Sequence, residues 1–170
     1  LHLYGRAPGS REIRILRDEV RESVLARTLL AEQDGSGRIP LDSFARWRGA
    51  HWVLYMLADI GSAAGDKSLF ALRDQACDRL FAGDRSEPVC GSIEGNALYY
   101  LHFLALDQGQ TDQLAARLIE NLPKKLGASP AAFGETVHAL RGLALHAQTC
   151  DDPASLNAAT QLAEHLLCHR

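Results

Sequence analysis

Apolar residues recur at three- and four-residue spacing through almost the whole chain, and the strict alternation of a half-buried strand is nearly absent. This confines the chain to an all-α fold. The spacing predicts a first helix from Arg11 to Gln33, with Ile13, Leu16, Val20, Val24 and Leu25 on one side. Asp34-Gly35-Ser36-Gly37 stops it, and Pro40 confirms the break. A helix over Ser43–Ile60 follows, carrying Phe44, Trp47, His51, Leu54, Tyr55 and Ala58 along one side. Gly61 suits the left-handed residue after it, and Asp66 is an N-cap for a helix over Lys67–Ala82. Beyond the linker Gly83–Gly91, helices fit Ser92–Gln108 and Asp112–Leu122, the latter capped by Thr111. After the linker Pro123–Ala131 come Phe133–Thr149 and Pro153–Cys168, with Asp152 as cap and Pro153 at the first helical position.

The helices therefore pair into three hairpins, and the hairpins resemble one another. Leu54–Ala58, Leu101–Ala105 and Leu140–Ala144 share the pattern LxxLA, with anchors 47 and 39 residues apart. Six residues before each anchor stand Arg48, Gly95 and Gly134. A degenerate repeat at that period fits stacked helix pairs, each burying its apolar face on the next. The expected organisation is a single α/α domain over 1–170. Its first 40 residues are a lead-in helix and turn, and 41–170 are the three hairpins. The second helix of each pair is expected outermost, with Arg73, Asp74, Asp78, Lys124 and Lys125 toward solvent.

Composition narrows the partners. With 18 Lys plus Arg against 21 Asp plus Glu, the net charge is −3, and no basic cluster interleaves with aromatics. That is the wrong balance for a polyphosphate partner, so no nucleic acid is expected. The longest apolar run, Trp52–Ala58, is seven residues, far below the roughly 18 to 20 of a membrane span. The four cysteines (Cys77, Cys90, Cys150, Cys168) include no CxxC pair and read as reduced, mostly buried thiols. No basic-then-apolar leader opens the sequence, so a cytoplasmic location is expected.

Several stretches carry a resemblance. They are Arg46-Trp47-Arg48-Gly49-Ala50-His51-Trp52, Leu57-Ala58-Asp59-Ile60-Gly61 with Gly65-Asp66, Cys90–Leu98, and Leu140-Arg141-Gly142-Leu143-Ala144. Together they are similar to the prenyltransferase and squalene-cyclase-like (terpenoid cyclase) proteins, and most to uncharacterised bacterial members. The resemblance covers most of the chain. It implies concentric helices whose inner ring encloses an apolar cavity for isoprenoids, of which three hairpins make an arc or half of an α/α toroid. The DxDD acid motif of the cyclases is missing. So are the zinc ligands of the protein prenyltransferases, since Cys77-Asp78 and Cys150-Asp151 have the wrong order and spacing. The Gln…Asp-Gly-x-Trp motif survives only as Gln33-Asp34-Gly35-Ser36, and Asn121–Ala132 lacks an aromatic, Gly-rich motif. The fold transfers on this basis; a named activity does not.

Alignment on LxxLA gathers Trp47, Arg48, His51 and Trp52 with Glu94, Asn96 and Tyr99 and with Glu135 and His138. On an inner ring these would form one layer of a concave wall. Glu94 and Glu135 are the candidate proton-transfer groups with His51 as partner, since desolvation raises a carboxyl pKa toward neutrality. Trp47, Arg48, Trp52, Asn96, Tyr99 and His138 are the candidate ligand-binding residues, the aromatic faces suiting a cationic intermediate. Structural roles compete: a glutamate in a first turn favours the helix dipole, and His51 and Trp52 can be packing residues.

Metal binding is not expected, nor is any cofactor. His146 and Cys150 have helix-compatible spacing, as do His165, Cys168 and His169. The two groups lie at opposite ends of one hairpin, roughly 20 Å apart at 1.5 Å per residue, so each offers at most a partial surface site. Gly61–Ser68 lacks one residue of a phosphate loop and carries Asp66 before the lysine; Gly35-Ser36-Gly37 lacks a third glycine and a βαβ unit. Both read as turns. Cys90 precedes a helix start but reads as a small packed thiol.

Two functions follow. The first is a prenyltransferase- or cyclase-like protein binding a small apolar or isoprenoid-like molecule on its concave inner face, with no activity assigned. The alternative is a non-catalytic helical-repeat scaffold. An open arc leaves apolar surface for a second copy or a completing segment to cover. A sugar-processing α/α barrel ranks last, because aromatics are only 6% of the chain.

Overall fold

The computed structural model describes residues 11–82, 91–125 and 130–168, with the backbone alone at 91, 122–125 and 130–133. The described residues are helical, with no strand among them. They contain α1 (Arg11–Arg21), α2 (Val24–Leu30), α3 (Ala50–Asp59), α4 (Phe70–Phe81), α5 (Gly91–Phe103), α6 (Thr111–Lys125), α7 (Pro130–Cys150) and α8 (Pro153–Cys168). No described helix is long and apolar enough to cross a membrane. The chain divides into two compact units, Leu1–Ala76 and Cys77–Arg170.

In the first unit the expected lead-in helix is broken. Ser23 adopts an extended conformation, and its hydroxyl accepts a hydrogen bond from the Ala26 amide at 3.1 Å, so α2 starts afresh there. A serine that satisfies a free amide at a helix start competes with continuing the helix through itself. The helix expected from Ser43 begins only at Ala50. Residues 42–49 fold as turns, Trp47 takes a left-handed φ of 68°, and Gly49 is the N-cap. A Cβ on Gly49 would lie 2.4 Å from the carbonyl oxygens of Asp42 and Ser43, so the loop packs on bare backbone. Phe44 and Trp47 therefore lie on that loop rather than along a helix face.

The end of α3 is as the sequence reads. Gly61 has φ 82°, and the Ser62 amide reaches back to the Leu57 carbonyl at 3.0 Å, closing the helix with a Schellman bond. Asp66 caps a 3-10 turn, Lys67–Leu69, by accepting from the Ser68 amide at 2.9 Å. The Gln75 side chain then accepts from the Ile39 amide and donates to the Ile39 carbonyl, pinning the loop after α2 onto α4. Ile39, Leu54, Leu57, Leu69 and Leu72 are buried. Each fully buried leucine or isoleucine contributes about 1.5–3 kcal/mol of burial free energy. Arg73, expected in solvent, is buried; it pairs with Asp74 at 2.7 Å and lies over the Phe70 ring. Its long apolar stem explains how a cation is accommodated there. Asp74 and Asp78 are exposed as expected, while the side chains of Lys124 and Lys125 lie outside the described residues.

In the second unit α5 and α7 form the most extensive helix pair. They run parallel. Gly95 meets the backbone of His138 and Ala139, Arg141 sits over the Tyr99 ring, and His102 meets His146. α6 and α8, the second helices of the two hairpins, also touch each other. The register between α5 and α7 places His102 against His146, 44 residues on, rather than at the 39-residue offset of the LxxLA anchors. Gly95 is thus level with His138–Gly142, about one turn beyond Gly134. The leucines of LxxLA are buried or half-buried while Ala105 and Ala144 are exposed, and a shared face does not fix the level at which two helices cross.

Helix ends in this unit are set by side chains. α5 stops at Phe103, short of the expected Gln108. Ala105 turns left-handed at φ 50°, and the Leu106 amide bonds to the Leu101 carbonyl at 2.8 Å. Leu106 is thereby buried. Thr111 opens α6 rather than capping it. Asp107 Oδ1 accepts from the amides of Gly109, Gln110 and Thr111. Asp152 caps α8 as expected, accepting from the Ser155 amide at 2.9 Å. α7 begins at Pro130, so Glu135 lies beyond its first turn and outside the reach of a dipole argument.

Candidate functional site

The nine residues singled out in the sequence fall in two groups, one in each unit. In the first unit His51 is fully buried, with Phe44 and Trp52 edge-on to its ring at 5.5 and 5.0 Å. The Trp52 indole donates to the Phe44 carbonyl at 3.2 Å and packs against Trp47 and Tyr55. Trp47 is 62% exposed. Arg48 makes a two-toothed ion pair with Glu32, which pushes the guanidinium above its ordinary range. These four residues join α3 to the loop before it and to the end of α2.

In the second unit Glu94 is buried in the first turn of α5 and ion-paired with Arg117 of α6. Arg117 also lies over the Phe81 ring. Asn96 and Tyr99 are buried on the same helix. Among the described residues, Asn96 Nδ2 has no hydrogen-bond partner. Glu135 and His138 are half-buried on α7. The crossing brings Gly95 against the His138 backbone, so the neighbour of Glu94 is level with His138 rather than with Glu135.

One turn-end of this unit holds a group that the sequence revealed only in part. His102, in the last turn of α5, puts Nε2 2.8 Å from Nδ1 of His146 on α7. Cys150 follows one turn later on α7, and one donor atom from each residue lies within 4.8 Å of the others. His146 is buried; its other nitrogen, Nε2, faces Asp112 Oδ1 at 3.8 Å and Asp152 Oδ2 at 3.9 Å. A cleft of about 460 Å³ opens onto His146 and Cys150 between Asp112, Ile119 and Asp152.

Burial holds the His102 imidazole below the ordinary histidine range, and the neighbouring His146 adds to this against Asp107 and Asp112. Desolvation, reinforced by the carboxylates of Asp112, Asp107 and Asp152, holds the Cys150 thiol above the usual cysteine range. A protonated thiol is a poor nucleophile at neutral pH, so the trio is not a Cys–His catalytic pair as it stands. The His146/Cys150 spacing was visible on one helix. His102 was not, because it arrives through the parallel crossing.

Of the described cysteines, Cys77 is buried while Cys150 and Cys168 are exposed, contrary to the expectation of mostly buried thiols. Cys90 and His169 lie outside the described residues.

Comparisons with family models, with curated proteins and with solved structures find no match to this chain.

Proposed function

We propose that the chain is a prenyltransferase- or cyclase-like helical-hairpin protein, an arc or half of an α/α toroid, that binds a small apolar or isoprenoid-like molecule in the cytoplasm. The observation that carries this reading is the buried side-chain Nδ2 of Asn96, on the first helix of the second hairpin, which has no hydrogen-bond partner among the described residues. A buried donor without a partner costs about 1–3 kcal/mol, and a ligand oxygen would repay it. Tyr99, one turn on, is the apolar neighbour such a ligand would meet. The parallel α5–α7 pair gives further support, since consecutive first helices stand side by side in a repeating arc. Glu94 is occupied by Arg117, and the reading assigns no catalysis.

Mass spectrometry of an organic extract of the purified protein tests the proposal, together with thermal shift against farnesol and geranylgeraniol. An extracted isoprenoid, or a shift that Asn96→Ala abolishes, supports it. No extract and no shift with either alcohol would end it.

A second reading is favoured by one observation. Ile15, Leu16, Val24 and Leu25, on α1 and α2, are all exposed. Exposed apolar side chains of this kind suit a scaffold that pairs with a second copy. Light scattering showing a dimer, dissociated by Leu25→Glu, would favour the scaffold.

A further inference from the structure

We infer that His102, His146 and Cys150 form a binding site for one divalent transition-metal ion of the zinc class, with the fourth coordination position open to the cleft beside Asp112 and Asp152. The donor set carries the argument. Two imidazole nitrogens and one thiol sulfur, all within 4.8 Å of one another, suit zinc or cobalt; the oxygen-seeking magnesium and calcium would not choose them. The three donors are held by two helices, two of them one turn apart on α7, so the site rests on rigid elements rather than on a loop.

The geometry needs little adjustment. Zn–N bonds of about 2.0–2.1 Å at a tetrahedral angle place two nitrogens about 3.3 Å apart. His102 Nε2 and His146 Nδ1 are now 2.8 Å apart, so the rings must part by roughly half an ångström while Cys150 closes. His146 is already turned as a ligand would be. Nδ1 faces the other donors, and Nε2 faces two carboxylates at 3.8 and 3.9 Å, the usual outer partners of a ligating imidazole. The same carboxylates that disfavour a bare thiolate attract the cation and compensate it.

A plain hydrogen bond between the two imidazoles accounts for their contact but leaves Cys150 idle. Binding of the ion moves the proton between the imidazoles to the outward nitrogen of the ring that carried it. It also releases the Cys150 thiol proton to solvent, so uptake acidifies an unbuffered solution. No oxidant or reductant is involved, and the site stands independently of any isoprenoid ligand.

The test titrates chelator-treated protein with Co²⁺ and then displaces it with Zn²⁺. One cobalt per chain is expected, with intense thiolate-to-metal charge-transfer absorption that zinc abolishes. Cys150 is exposed, so Cys150→Ser preserves the fold and removes that absorption, while His102→Gln weakens binding at least tenfold. Cys168→Ser, at the exposed end of α8, leaves the spectrum unchanged. Absence of stoichiometric binding by the folded protein, or charge-transfer absorption that survives Cys150→Ser, overturns the inference.

Discussion

A Cβ placed on Gly142 would lie 2.5 Å from the carbonyl oxygen of Gly95, so the backbones of α7 and α5 touch with no side chain between them. One turn earlier on α7 the approach repeats: a Cβ on Gly95 would lie 2.5 Å from the His138 carbonyl. Gly49 makes a similar close approach, to the Asp42 and Ser43 carbonyls. Each is a place where one backbone packs against another.

Gly142→Ala should therefore destabilise the protein, by about 1–3 kcal/mol from forced separation of the two helices. For a chain of this size that lowers the Tm by about 2–4 °C per kcal/mol. Gly134→Ala on the same helix meets nothing within 4 Å and should gain up to about 1 kcal/mol from helix propensity. Thermal denaturation of the two variants side by side checks this; equal effects would contradict the close crossing.

Removing Arg117 should be worse than removing the pair. Glu94 is 2% exposed, and Arg117→Met strips its ion-pair partner at an expected cost of about 3–5 kcal/mol. The double variant Glu94→Gln, Arg117→Met should recover part of that, because no buried charge is left behind. Urea denaturation of the single and double variants measures the difference.

Ala105 ends α5 in a left-handed conformation that costs an alanine about 1–2 kcal/mol and a glycine almost nothing. Glycine in turn loses about 0.4–1 kcal/mol through the freedom of the unfolded chain. Ala105→Gly should thus stabilise by roughly half to one kcal/mol, seen as a Tm rise of a few degrees. A fall in Tm would mean that the Ala105 methyl packs where none has been assigned.

His102 predicts how stability responds to acid. Its folded pKa lies below the ordinary 6.5, chiefly through burial. Well above 6.5 the imidazole is neutral in both states and contributes nothing. As pH falls through 6.5 the unfolded chain takes up a proton that the folded chain refuses, so stability declines until the depressed folded pKa is passed. Asp34 and Asp152, both lowered by hydrogen bonds to their carboxylates, act in the same direction but only below 3.8. Melting curves from about pH 8 to about pH 5 should show a steeper loss for the wild type than for His102→Gln. Parallel curves would refute the role of burial at His102.

Much of the helical content was legible because the signals are local. Gly61, Asp66, Asp152 and Pro153 end or start helices through bonds to residues a few positions away, and all four stand where the sequence puts them. The structure departs from the sequence expectation where two local signals compete. The apolar spacing across Ser23 favours one helix, but the serine hydroxyl can cap a new one, and it does. Ala105 carries no local sign of a left-handed residue, yet it turns left-handed where the chain leaves α5 and Leu106 enters the core.

The sequence by itself determined that the chain is helical, where most helices end, and that His146 and Cys150 share one face of α7. Only the tertiary structure decided the level at which α5 and α7 cross, and with it the meeting of His102 with His146 and the pairing of Glu94 with Arg117. The reason is physical: hydrogen bonds within a helix are made between near neighbours in the chain. The register between two helices depends instead on how side chains, and here two bare glycines, fit together across a distance of some forty residues.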